Sequence, residues 1–378
     1  MPGKESVMGS ALFSPISLGG LTLANRIVVS PMCQYSAEDG NATDWHLMHL
    51  GNFSVSGAGL VMVEATAVEP RGRITYGDLG LYSGANEQAL GRVLRFCRQY
   101  GQARMGIQLA HAGRKGSDHL PWEEGGRPLP RQEGAWQTVA PSPISYDEAW
   151  PLPQALDRAG LEAVREAFVA ATQRAARLDF DLVELHGAHG YLLHQFLSPL
   201  SNRRTDDYGG TLENRLRFPL EVFSAVREHW PEHKPLGVRI SATDYIDGGW
   251  QLADSVIFAT ELKKRGCDFI DVSGGGLGPQ QRIAPGPGYQ VPFAEEIRRQ
   301  TKITTMVVGM INQPRQAEAI IAGGQADLVA LARGMLYNPR WAWHAAEELW
   351  AEASYPPQYL RCQPARWPQA FPQRQAVE

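Results

Sequence analysis

Residues 161–191 read LEAVREAFVAATQRAARLDFDLVELHGAHGY, and two structural periods lie back to back in that stretch. Leu161, Val164, Phe168, Ala171 and Ala175 return at helical spacing, which predicts an amphipathic helix over Leu161–Leu178. Leu182–Leu185 is a short aliphatic run suited to a strand covered on both faces. On either side of this stretch the same kind of run recurs, at Ile27–Met32, Leu60–Ala65, Met105–Leu109, Leu236–Ile240, Phe269–Val272, Thr305–Val308 and Leu328–Leu331. Further helical segments fall at Asp254–Lys264 and Ala317–Ile321. Eight strand–helix alternations predict an α/β chain closed into a (β/α)8 TIM barrel. An open doubly wound sheet would want a G-x-G-x-x-G turn after an early strand. The nearest run, Gly274-Gly275-Gly276-Leu277-Gly278-Pro279, fails at its last position. No Walker A loop and no G-x-S-x-G elbow occurs.

The 378 residues divide into a barrel over 1–354 and a Pro-rich tail over 355–378 that is expected to be extended. Ala112–Ala155 is a long insertion after strand three, rich in Pro and Gly, placed where barrels build lids. Lysine plus arginine number 36 against 40 acidic residues, so there is no electrostatic footprint for nucleic acid. Cys33, Cys97, Cys267 and Cys362 are scattered with no C-x-x-C, which argues against zinc ribbons, iron–sulfur ligation and a disulfide framework. That usage, with no apolar leader and no long apolar run, predicts a reduced cytoplasmic protein rather than a secreted or membrane-spanning one.

Catalytic residues of a barrel gather just past the strand C-termini, so the residues immediately after each strand are informative. Strand one runs into Pro31-Met32-Cys33-Gln34-Tyr35, strand three carries Gln108, and strand four opens into His186-Gly187-Ala188-His189-Gly190-Tyr191. Strand five holds Arg239; strands six, seven and eight end in Ser273, Gly309 and Arg333-Gly334. His186 and His189 are open to three readings: metal ligands, paired donors to one oxygen, or satisfied core histidines. The metal reading is the weakest, because no H-x-H stands on strand one and strand eight offers Arg333 where an acid is wanted; no metal is expected. Arg333 suits an anionic group. Tyr191 on the same connection is a phenol able to deliver a proton near neutral pH.

Five ordered blocks then carry a resemblance. They are Asn25–Cys33, Glu64–Val68, Gly106–Arg114, His186–Tyr191, and the run from Phe196 through Ser198–Asp206 and Tyr208-Gly209-Gly210 to Glu213-Asn214-Arg215. Together they resemble the Old Yellow Enzyme family of flavin-dependent ene reductases, and within it the thermophilic-like bacterial subgroup. The resemblance runs from Leu12 to about Arg361. It implies non-covalent FMN, reduced by NADPH or NADH, and a small electron-poor alkene such as an enone, maleimide or nitroalkene as acceptor. By position, Pro31, Met32, Cys33, Ala65, Gln108, Arg239, Gly309, Arg333 and Gly334 are implied to bind the cofactor, with Gly309, Arg333 and Gly334 at its phosphate. His186 and His189 are implied to bind the substrate oxygen, Tyr191 to give the proton, and Cys33 and Tyr35 to line the substrate pocket. Arg361 is implied to reach a neighbouring subunit's site, which makes a homodimer or tetramer the expected assembly. The motif around Arg361 departs from the subgroup: Cys362-Gln363 come directly after it, and Trp367 is the next aromatic residue.

Overall fold

The structure is a computed structural model describing residues 9–369; the ends at 1–8 and 370–378 lie outside the described residues. Eight parallel strands close into a barrel in chain order: β1 Ile27–Val29, β2 Leu60–Ala67, β3 Arg104–Ala110, β4 Leu182–Gly187, β5 Leu236–Ser241, β6 Phe269–Ser273, β7 Thr304–Val307 and β8 Leu328–Leu331. Closure is made by β8 on β1, with Leu331 opposite Val29. The covering helices are α1 Asp44–Ser54, α2 Gly84–Tyr100, α3 Arg158–Arg177, α4 Leu212–His229, α5 Leu252–Lys264, α6 Val291–Thr301, α7 Pro314–Ala322 and α8 Trp341–Glu348. The barrel read from the sequence is therefore the observed fold.

Three local differences have physical causes. The first strand stops at Val29 rather than Met32: Ser30 still donates to the Leu331 carbonyl at 3.0 Å, but Pro31 has no N–H with which to continue the ladder. An antiparallel hairpin, Ile16–Leu18 with Leu21–Leu23, precedes the barrel and is too short for any periodicity to reveal. Its Leu18 and Leu23 plug the barrel's lower end against Val28, Leu60, Leu182, Phe269 and Leu328. The tail is not extended as expected over its described part. Proline at the first turn starts 3-10 turns at Pro357–Cys362 and Pro364–Arg366.

The interior is layered. The lower layer is apolar and tightly filled: a Cβ on Gly237 would stand 2.3 Å from the Phe269 ring. Two residues further along the same strands, the inward positions turn polar, with Gln108, Glu184, Arg239 and Asp271 all buried. That polar layer is the floor of the site.

Candidate active site

The insertion over Ala112–Ala155 is fastened down over the barrel mouth. The Arg114 guanidinium donates to the carbonyls of Ile144 (3.3 Å), Ser145 (3.2 Å) and Leu277 (2.8 Å), tying the insertion to the loop after β6. Lys115, not singled out from the sequence, donates to the carbonyls of His189 (2.8 Å) and Gly276 (2.9 Å). Its ammonium lies 4.8 Å from the Tyr146 ring and 5.0 Å from the Tyr191 ring. A cation directly after Arg114, just past a strand end, was the one available signal for it.

Loop chemistry past β4 sets the three residues predicted to act together. His186 Nδ1 accepts from the Ala188 N–H at 3.2 Å, which leaves Nε2 as the protonated nitrogen. His189 sits at φ +58, a left-handed conformation that is costly for a side-chain-bearing residue. The Ser241 hydroxyl accepts from its N–H at 2.9 Å, and Ser273 Oγ lies 2.7 Å from its Nε2. A Ser273 hydroxyl donating to Nε2 leaves Nδ1–H as this imidazole's donor. The two rings are edge-on at 5.1 Å, and Tyr191 is edge-on to His186 at 4.8 Å. Burial, then the Arg239 charge, holds both imidazoles well below the usual histidine range, so they are neutral donors at pH 7. Burial likewise pushes the Tyr191 phenol well up, keeping its proton in place.

Behind this turn is a buried support. His194 Nδ1 accepts from Gly190 N–H at 2.9 Å, and its Nε2 lies 2.8 Å from Asp244, whose other oxygen accepts from Ser198 and Trp250 at 2.7 Å each. Burial raises the Asp244 carboxyl, but His194 and those two donors outweigh it and leave it low.

On the other side of the mouth, Pro31, Met32, Cys33 and Tyr35 continue from β1 as half-buried backbone. Glu64, at the register shift between Val63 and Ala65 of β2, accepts from the Gln34 N–H at 2.8 Å and so fixes this segment. Tyr35 takes φ +50 and stands edge-on to Trp122 of the insertion at 6.1 Å. Burial, with Asp78 and Glu64 nearby, raises the Cys33 thiol well above its usual range, which makes it a neutral thiol rather than a nucleophile. Ala65 is buried on β2, beside Gln108 in the sheet register.

The remaining predicted residues line the floor and the far rim. Gln108 Nε2 donates to Glu184 at 2.7 Å, and Arg239 Nε lies 3.0 Å from Asp271. Glu184 and Asp271 were not picked out from the sequence, though an acid inside a strand whose other residues are apolar is a visible anomaly. Gly309, just past β7, has φ +137, and a Cβ there would meet Gln290 at 3.0 Å. Arg333 and Gly334 open the short helix after β8, where a Cβ on Gly334 would stand 2.9 Å from Asn312. Arg361 is not part of this cluster; it is exposed in the tail's first 3-10 turn.

Comparison with known proteins gives the family. The profile of the "NADH:flavin oxidoreductase / NADH oxidase family" matches residues 11–352. A curated relative, NADPH dehydrogenase from Geobacillus sp. (strain WCH70), is 46% identical over 356 residues, spanning 94% of this chain and 99% of its own. The chain belongs to this NADH:flavin oxidoreductase family, the Old Yellow Enzyme lineage. It is accordingly a flavin-dependent oxidoreductase. Among solved structures, morphinone reductase superposes with a TM-score of 0.75 at 29% identity, over 93% of both chains. Morphinone reductase in complex with tetrahydroNAD gives 0.73 at 28%, over 92% of this chain and 93% of that one.

The residues present fit the family's FMN. The Arg239 guanidinium, buried at the floor with its Nε 3.0 Å from Asp271, is a fixed cation that an anionic ring edge would meet. Gly309 and Gly334 leave their backbone uncovered where a side chain would intrude. Gln108 offers a carbonyl and an amide to a ring edge. Among the described residues no helix is long and apolar enough to cross a membrane, and no group of three His, Cys, Asp or Glu could hold a metal ion.

Proposed function

We propose that this chain is an NAD(P)H-dependent ene reductase, acting on small alkenes activated by a carbonyl or nitro group. The observation that carries the reading is the convergence on His186 of a second neutral imidazole, His189 at 5.1 Å, and a protonated phenol, Tyr191 at 4.8 Å, over a polar floor containing Arg239. Bound FMN would supply the hydride, taken from NAD(P)H and passed to the alkene's β-carbon. His186 through Nε2–H and His189 through its second nitrogen hold the substrate's oxygen and stabilise the negative charge that grows on it. Tyr191 gives its proton to the α-carbon. Cys33 and Tyr35 shape the opposite wall, and the insertion brings Trp122 against Tyr35 and Tyr146 against Lys115. Arg239 and Gln108 would hold the ring of bound FMN from the floor, Pro31, Met32 and Ala65 would frame it, and Gly309, Arg333 and Gly334 would hold its phosphate. The test is flavin content of the purified protein together with oxidation of NADPH and NADH in the presence of cyclohexenone, maleimide and a nitroalkene. Flavin-loaded protein whose nicotinamide oxidation no alkene stimulates overturns the reading.

The working unit in this reading is a homodimer, alone or paired into a tetramer, with Arg361 entering the neighbour's site. Arg361 is exposed, and the tail residues beside it border a groove lined by Leu47, Met48, Phe96, Tyr100 and Arg340. Trp45, Met48 and Tyr100 are 50%, 51% and 41% exposed on that face, a concentration of apolar surface suited to an interface. Four free cysteines suit a cytoplasmic setting, and neither nucleic acid nor membrane has a part in the chemistry.

A further inference from the structure

Glu184 and Asp271 have no task in the ene-reductase mechanism, yet they occupy the layer directly under the site. Both are 0% exposed. In the sheet register Gln108 stands opposite Glu184, and Arg239 stands between His186 and Asp271, so four neighbouring strands, β3 to β6, each contribute one inward polar group, with Glu184 and Asp271 on the two strands that flank Arg239. The groups facing the two carboxyls are Gln108 from β3, donating to Glu184 at 2.7 Å, and Arg239 from β5, 3.0 Å from Asp271, with neutral His186 one layer higher on β4. Among the described residues no other cation pairs with either acid, and Glu184 Oε2 and both Asp271 oxygens have no well-aligned hydrogen-bond donor.

The charge count decides the protonation. Two ionised carboxylates against one guanidinium would leave an uncompensated negative charge in a dry interior, which is costly enough that a proton is taken up instead. The proton belongs on Glu184, because Asp271 has the guanidinium beside it. Resting on the flavin-dependent ene-reductase reading, we propose that Glu184 and Asp271 share one proton and form a charge-compensating pair beneath the cofactor, coupled through Arg239 to the flavin's redox state. Hydride from NAD(P)H brings two electrons and one proton and leaves a negative charge at the flavin's N1 side. Arg239 is drawn to that charge and compensates Asp271 less, so the pair holds its proton more tightly when the flavin is reduced. Where the oxidised protein has already lost this proton, reduction takes one back from solvent onto the carboxylate, and reoxidation returns it. Two electrons then travel with two protons instead of one. Burial first, and then the Asp271 charge, push Glu184 up to about 8, with Arg239 and Gln108 opposing, which puts the changeover just above neutral pH. These are positioning residues for the cofactor's charge rather than groups touching substrate.

The experiment is a spectroelectrochemical titration of the FMN-loaded protein from about pH 7 to about pH 9.5, on wild type and Glu184→Gln. In wild type the fall of potential with pH steepens about twofold near pH 8, the ratio of two protons to one per electron pair. Glu184→Gln, neutral and of the same shape, keeps the shallow slope throughout and matches wild type at pH 7; a break common to both proteins belongs to the flavin. Infrared difference spectra on reduction above pH 8 should show a buried carboxylic acid C=O band growing in, absent from Glu184→Gln. If that variant folds poorly, Asp271→Asn serves: without the neighbouring negative charge Glu184 ionises at lower pH, and the break moves to the acid side. A wild-type slope with no break, or a break unchanged in both variants, overturns the coupling while leaving the flavin reading intact. Failure to take up FMN overturns the flavin reading. The apoprotein then decides the shared proton by itself, since no acid C=O band at pH 7 sensitive to Glu184→Gln overturns the pair as well.

Discussion

In the ene-reductase reading Tyr191 would give up its proton from surroundings that make a phenolate expensive, so the transfer would be driven by the carbanion forming beside it. Hydride transfer into the flavin needs no acid, and Tyr191→Phe should leave reduction by NADPH at its wild-type rate. Reoxidation by cyclohexenone should slow by about 10² to 10⁴, the usual worth of a positioned general acid. Stopped-flow traces in which both half-reactions slow alike would instead give Tyr191 a packing role. Ser273 Oγ lies 2.7 Å from His189 Nε2, and as the donor there it would fix this ring's tautomer. Ser273→Ala removes one hydrogen bond, worth about 0.5 to 1.5 kcal/mol, so enone reoxidation should fall by up to about tenfold. Ser273→Thr should restore it, and an unchanged rate in the alanine variant would show that the ring is held by other means. His186, His189 and Tyr191 were legible in the sequence because one short connection carries all three. The Ser273 contact was not, because its partner is 84 positions away and only barrel closure brings the two together.

Between the strand ends, two loops interlock with no room to spare. Gly190, at φ +74, approaches the loop after β6 so closely that a Cβ would fall 2.2 Å from the Gly276 carbonyl oxygen. Gly248 has nearly the same φ, +73, but nothing within 4 Å of its Cβ position. Both glycine-to-alanine changes incur the left-handed strain of roughly 1 kcal/mol, whereas only Gly190→Ala must also push the two loops apart. In urea unfolding Gly190→Ala should lose at least about 1 kcal/mol more than Gly248→Ala, and phenolic ligands should bind it more weakly. Equal losses would mean the loops separate freely. All eight barrel strands were readable from apolar runs, since a strand covered on both faces has little reason to be polar. The same rule hid the floor, because Glu184 and Asp271 sit inside those runs and take their meaning from what the neighbouring strands present at the same level. The Ile16–Leu23 hairpin and the tail's turns escaped for want of length.

Across the described residues of the molecule, the buried carboxyls of Asp78, Asp118, Glu184 and Asp271 share one sign of pH dependence. Burial foremost raises Asp78 to about 7, Asp118 to about 8 and Glu184 to about 8. In the unfolded chain such groups ionise near 4, so between there and about pH 8 the native state binds more protons, and stability falls as pH rises. His186 and His189, held low, act oppositely but only below about 6.5, where unfolded histidine gains its proton. From pH 6.5 to 8 the carboxyls prevail. Unfolding free energy should drop by about 1 to 3 kcal/mol across that interval, and Glu184→Gln should flatten the slope; a rising slope would contradict the burial argument. Arg361 raises the remaining question at this size, because it is exposed and lies outside its own chain's cluster. If it acts in a neighbour's site, Arg361→Ala should raise KM several-fold and leave FMN bound, since a rim guanidinium contacts substrate and not cofactor. The decisive measurement mixes Arg361→Ala subunits with Tyr191→Phe subunits. Action in trans places both defects in one site of each mixed dimer and leaves the other site intact, so activity with cyclohexenone well below KM should exceed that of either parent. Action in cis leaves every site with one defect, and mixing then recovers nothing. No recovery after verified subunit exchange, or a monomer by sedimentation at assay concentration, would sink the shared site.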